Sequence, residues 1–168
     1  TKELSNGIWI ISSRVDFERA EAYKTKMGTL EDMVGKESYR GLLTGLSKAF
    51  NIPVDTANRL IAEDPSAKEI LRPFMQGRGM VPFGKPDTAS YLLFIPKGFT
   101  MKAFGLNSDN KEDRKNMPSE ESAWEWFEST YPSVAHWLLQ FKKEASKRSD
   151  KGDYWWELRA CAYYNEFS

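Results

Sequence analysis

The chain has 168 residues, 40% of them hydrophobic and 14% aromatic, enough to bury one domain-sized core and too apolar for a disordered segment. Its 24 basic and 24 acidic residues cancel; a single cysteine, Cys161, excludes an internal disulfide and a cysteine-based metal site, and a single histidine, His136, excludes a histidine-rich one. No apolar run reaches membrane-spanning length and no signal peptide is visible, so a reducing, cytoplasmic setting without a membrane partner is expected. Because the chain opens on Thr1 and stops at Ser168 without a terminal signal, it reads as a piece of a larger protein.

In chain order, Gly7 to Ile11 reads as a strand, Val15 to Lys26 as a helix, and Leu30 to Val34 as a helical turn ended by Gly35. Tyr39 to Gly45 mixes strand formers with two glycines and reads as a strand that bends or approaches another backbone, a possible functional edge. Asp55 is the expected N-cap of a helix over Thr56 to Ala62, and Asp64-Pro65-Ser66 breaks the chain before a short helix from Ala67 to Leu71. Strands are expected at Met80 to Phe83, Tyr91 to Ile95 and Phe99 to Phe104, and a loop from Asn107 to Met117. Ser119 caps a helix that opens on Glu120-Glu121 and ends before Tyr131-Pro132, and one further helix follows to the region of Asp150. Helices and strands interleave irregularly, which predicts an α+β fold with short strands and a C-terminal pair of helices.

The neutral total hides an uneven distribution. Pro65 to Lys102 carries six bases against two acids, whereas Asp109 to Glu128 carries seven acids against three bases. In the last helix Val134, Trp137, Leu138, Phe141 and Ala145 recur at helical spacing, leaving Lys142, Lys143, Lys147 and Arg148 for the remaining surface. This helix runs into Gly152-Asp153-Tyr154-Trp155-Trp156-Glu157-Leu158-Arg159. A basic helix followed by paired tryptophans and an arginine suits a large anionic partner better than a small-molecule pocket.

Three segments, GLLTGLSKAFNI at Gly41 to Ile52, RLIAEDPSAKEILRPFMQGRGM at Arg59 to Met80, and YPSVAHWLLQFKKEASKRSDKGDYWWELRACAYY at Tyr131 to Tyr164, resemble in order and spacing the TaqI-like C-terminal specificity domain of adenine-specific DNA methyltransferases and type IIG restriction-modification enzymes. The resemblance covers the chain from about Leu30 to its end, with residues 1–29 as a connector from the catalytic domain. It implies recognition of double-stranded DNA by this region, while a methyltransferase domain of the same polypeptide uses S-adenosylmethionine to methylate a flipped adenine. The chain departs from the family at Gly77-Arg78, which is followed by Gly79-Met80-Val81-Pro82-Phe83 instead of an acidic residue, an aliphatic one and a second base before an aromatic.

The residues themselves carry no catalytic set. An Asn/Asp-Pro-Pro-aromatic motif and a glycine-rich cofactor turn are both absent, and Asn51-Ile52-Pro53-Val54 reads as a turn into a helix. Pro86-Asp87 with Asp113-Arg114-Lys115 satisfies a bare metal-nuclease pattern, but no apolar strand presents Asp113, and we set it aside as coincidence. His136, beside Trp137, reads as a packing or surface residue. For DNA, Lys97, Lys142 and Lys143, with Lys68, Lys85 and Lys147, are candidate phosphate contacts. Arg40, Lys48, Arg78 and Arg159 are candidates for specific contact, Arg78 foremost because two glycines flank it, with ordinary salt bridging as the alternative for each. Trp9, Trp124, Trp137 and Phe141 read as core. Of Trp155 and Trp156, one is expected in the core and the other, taken as Trp156, as a partial surface ring able to stack on a base. The alternative function is a structural or interaction module that packs on the methyltransferase domain.

Overall fold

The computed structural model describes residues 13–27, 32, 35, 42–75, 84, 90–162 and 164. The expected strands at Gly7 to Ile11 and Met80 to Phe83, the turn at Leu30 to Val34 apart from Asp32, Trp9, and the candidates Arg40 and Arg78 lie outside these residues. The chain divides into two compact units, Thr1–Gly41 and Leu42–Ser168.

In the first unit, α1 (Arg14–Met27) forms where a helix is expected. Ser13 Oγ accepts from the Asp16 amide at 3.2 Å and so closes its first turn, and Arg14 pairs with Glu18 one turn on.

The second unit is α+β. It opens with α2 (Ser47–Phe50), β1 (Asn51–Pro53) and α3 (Val54–Glu63). Asp55 sits in the first turn of α3 and is not its cap; Pro53 occupies that position, where its fixed φ suits the entry. Asp64 instead caps the following 3-10 turn, Pro65–Glu69, its carboxylate accepting from the Ser66 amide at 3.0 Å. Leu71 leaves that turn into β2 (Leu71–Phe74), which pairs antiparallel with β3 (Ser90–Leu93), and β3 pairs antiparallel with β1 on its other side. Ile52, Leu71 and Leu93 are buried on one face of this small sheet.

The helical half consists of α4 (Phe99–Ala103), α5 (Lys111–Lys115), α6 (Glu120–Thr130), α7 (Pro132–Leu139) and α8 (Lys142–Ala145). Ser119 caps α6 as expected, accepting from the Ser122 amide. Three expectations are corrected. Phe99 to Phe104 is a helix: Gly98 turns the chain at φ +83, and the Glu157 carboxylate accepts the first-turn amide of Thr100 at 2.9 Å. The expected loop contains α5, started by Asn110, whose side chain accepts from the Glu112 amide. The last helix is two, because the chain tightens at Gln140 and Phe141, with the Phe141 amide bonded three residues back to Leu138.

The core is aromatic and centred on Tyr154-Trp155-Trp156. Trp155 stacks on Trp124 at 4.7 Å, Tyr154 stacks on Trp156 at 4.7 Å, and the two tryptophans meet edge to face at 5.4 Å. Both are buried, at 1% and 0% exposure. Sequence neighbours cannot share one side of a helix or strand, but here the chain crosses the interior as a series of turns, so consecutive rings point into one core.

Candidate nucleic-acid interface

An irregular segment can run through a core only if its backbone polar groups find partners there. Two charged side chains supply them. The Glu157 carboxylate, with the residue 0% exposed, accepts from the amides of Asp153 at 2.8 Å, Thr100 at 2.9 Å, Gly98 at 3.2 Å and Tyr154 at 3.4 Å. Burial pushes its pKa up, opposed by the bonds from Thr100, Asp153 and Gly98. Arg148 serves the carbonyls: Nη1 donates to Thr44 O, and Nη2 to Trp155 O and Glu157 O, each at 2.8 Å, with the guanidinium 4.7 Å over the Phe50 ring. Burial pulls its pKa down, opposed chiefly by Asp150. Arg148 is therefore a buried structural residue, 9% exposed, and not part of the basic surface to which its spacing assigned it.

Trp156 is likewise corrected. Its ring is fully buried and its Nε1 donates to Thr100 Oγ1 at 3.0 Å, so neither ring face is open to a base. Trp124, Trp137 and Phe141 pack against the core as expected, Trp137 donating its Nε1 to Ala49 O at 2.9 Å.

Of the remaining candidates, the structure brings together Lys48, Lys142 and Lys143. Lys48 reaches from α2 to Glu144 on α8, 2.6 Å from Oε2, and so stands beside the two lysines that precede Glu144. Lys142 lies 5.7 Å over the Trp155 ring and 4.0 Å from Glu120, and exposed Lys143 has no ion pair among the described residues. Lys147 and Lys151 follow on the same stretch, both exposed. Exposed ion pairs such as Lys48–Glu144 are worth at most about 1 kcal/mol, so they do not lock these cations away from a phosphate. Lys97 and Arg159 belong to a second place, the seam where Leu158 N donates to Ile95 O at 2.7 Å; Lys97 is half-buried and Arg159 exposed. Lys68 and Arg72, both exposed, stand on the 3-10 turn and on β2. Phe74, the last residue of β2, leads into the chain that carries Arg78 and returns at Ser90, its partner across the sheet.

His136 is exposed, in a cleft with Arg59, Glu63 and Gln140. Among the described residues no group of carboxylates, cysteines and histidine is placed to hold a metal ion. Asp113 of the nuclease-like string accepts from the Asn107 amide at 2.9 Å, a turn contact. No helix among the described residues is long and apolar enough to cross a membrane. No protein-family model, no curated protein and no solved structure matches this chain.

Sequence reasoning missed Arg148 and Glu157 as partners of the buried backbone. The signal available was a charged pair bracketing three consecutive aromatics, a composition that needs polar partners if the aromatics are all internal.

Proposed function

We propose that this chain is the DNA target-recognition region of an adenine-specific DNA methyltransferase or fused restriction-modification enzyme, with S-adenosylmethionine bound by a catalytic domain of the same polypeptide. The observation that carries this reading is how the three resembling segments meet. Thr44 accepts from Arg148, Ala49 from Trp137, Leu60 from Ser133, and Glu69 from Tyr131. The first two segments thus lie against the third in reverse order along its length, as parts of one scaffold would. Lysines on and around α8 supply sequence-independent charge to the phosphates, while arginine and polar side chains at the sheet ends and turns read bases.

The test is binding of the 168-residue chain to labelled duplex DNA across a salt series. Affinity should be weak and fall steeply with salt, and Lys143→Ala should weaken all sequences alike and reduce the slope of log K against log salt by about one. Absence of binding at low salt overturns the reading in favour of a structural module that packs on the methyltransferase domain.

A further inference from the structure

A cleft of about 400 Å³ lies between α3, which contributes Arg59, Leu60 and Glu63, and the C-terminal half of α7, which contributes His136, Trp137 and the capping residue Gln140. Leu60 is buried and Trp137 half-buried, whereas Arg59, Glu63, His136 and Gln140 are exposed around them. An apolar floor thus carries a polar rim.

The rim holds donors and acceptors together. Arg59 and Glu63 stand four residues apart on α3 and so share one face of it. Arg59 Nε is 3.9 Å from Glu63 Oε1, beyond hydrogen-bond distance, and among the described residues neither side chain makes another ion pair or hydrogen bond. Both remain available to a ligand. Gln140 Nε2 is spent on Trp137 O at 2.8 Å, which leaves the amide oxygen as a further acceptor. A phosphate offers acceptors alone and would be repelled by the Glu63 carboxylate. The major-groove edge of a base pair presents acceptors and a donor side by side, as this rim does.

The cleft also adjoins the lysines assigned to the phosphates. Trp137 is fixed by its bond to Ala49 O, next to Lys48, and Gln140 leads through Phe141 directly into Lys142 and Lys143. A duplex held by those lysines therefore has the α3–α7 rim beside it.

We propose that Arg59 and Glu63 read one G·C pair, the Arg59 guanidinium donating to guanine O6 and N7 and the Glu63 carboxylate accepting from the cytosine amino group. Both are established pairings of base recognition. Glu63 sharpens the choice by repulsion as well, because a pair that turns an acceptor toward it leaves a carboxylate facing an oxygen. The inference rests on the proposed DNA-recognition function and adds to it a reading element on a helix.

The experiment uses the whole chain and a duplex selected by it from a random library. Each guanine in turn is replaced by 7-deazaguanine, which keeps its pairing but lacks N7, and each cytosine by N4-methylcytosine, which keeps its pairing but sets a methyl group on the major-groove side of the amino nitrogen. At one G·C pair the wild-type chain should lose about tenfold in affinity with either analogue, the size of one good base contact. Arg59→Ala should bind the parent duplex about tenfold more weakly and show no further loss with 7-deazaguanine at that pair. Glu63→Ala should lose its response to N4-methylcytosine at the same pair. Each side chain is more than half exposed, so both variants should unfold within about 2 °C of the wild type. A structural role would instead lower the unfolding temperature and leave the analogue responses in place, which overturns the inference. So does a uniform loss in Arg59→Ala with its 7-deazaguanine response retained, since that is a phosphate contact, and so does a wild-type chain indifferent to both analogues at every position. These three results leave the recognition function standing. Failure to bind any duplex at low salt overturns both.

Discussion

Replacing Arg148 by methionine separates a buried structural arginine from a phosphate clamp. The substitution keeps the apolar stem and removes a fork that serves three carbonyls at 2.8 Å, those of Thr44, Trp155 and Glu157, together with a longer contact to Ala145 O at 3.3 Å. Thr44, Trp155 and Glu157 are all buried, so water cannot freely replace the donors. Each abandoned carbonyl costs about 1–3 kcal/mol, which gives roughly 3–6 kcal/mol in all once some local relaxation is allowed. Against a total stability of about 5–15 kcal/mol that is a large share. The assay is urea unfolding followed by tryptophan fluorescence. With a slope near 2 kcal/mol per molar urea, the midpoint should fall by about 2 M. Arg148→Lys keeps the charge but offers one ammonium where a planar fork spans two directions, so it should recover less than half of the loss. A methionine variant within about 0.5 kcal/mol of the wild type would refute the reasoning, for that is what an exposed basic residue yields.

Glu157→Gln should cost about 1–3 kcal/mol, because one amide nitrogen must then face a backbone N–H among those of Thr100, Gly98 and Asp153. The folded state holds the Glu157 proton more tightly than the unfolded chain does, so its contribution to stability is full below the usual glutamate range and is lost as pH rises through the raised folded pKa; unfolding measured between pH 4 and 8 should show a shallower decline in the glutamine variant. Gly45→Ala should cost about 1–3 kcal/mol, since Gly45 has φ +68 and the new Cβ would lie 2.5 Å from Asp150 Oδ1. The double variant with Asp150→Ala should recover the steric part alone, and full recovery in thermal unfolding would show that the backbone conformation carries no strain.

The sequence discloses this fold where local chemistry decides and conceals it where distant residues do. Helix α6 is legible from Ser119, two acids and the stop at Tyr131-Pro132, and α1 and β3 emerge from simple periodicity. Phe99 to Phe104 is not, because strand-forming side chains are overridden by a carboxylate from residue 157 that accepts first-turn amides. The pair Trp155-Trp156 misleads for a related reason: the rule that neighbours point to opposite sides assumes a regular element, and the chain there is a turn held by Arg148 and Glu157. Spacing placed Arg148 on the basic face, although beyond Ala145 the helix has ended and helical spacing no longer governs direction. Lys48, Lys142 and Lys143 were readable as exposed cations, but their gathering around Glu144 depends on a contact 96 positions long. Asn51, read as a turn, shows its buried carbonyl only once β1 is packed.

The reverse-order contacts between the resembling segments also set a schedule for folding. Glu69 to Tyr131, Leu60 to Ser133, Ala49 to Trp137 and Thr44 to Arg148 span 62, 73, 88 and 104 positions, each loop enclosing the one before. Closing the innermost loop bears most of the entropic cost, and each outer pair then extends a closed loop by only 11 to 16 residues, so the chain can zip outward from Tyr131. The outermost pair waits for Arg148, and the aromatic core waits for Trp156. During synthesis the apolar residues of α2, β1 and α3 therefore emerge long before their partners do, leaving a half-made core exposed to aggregation until Trp156 has been added.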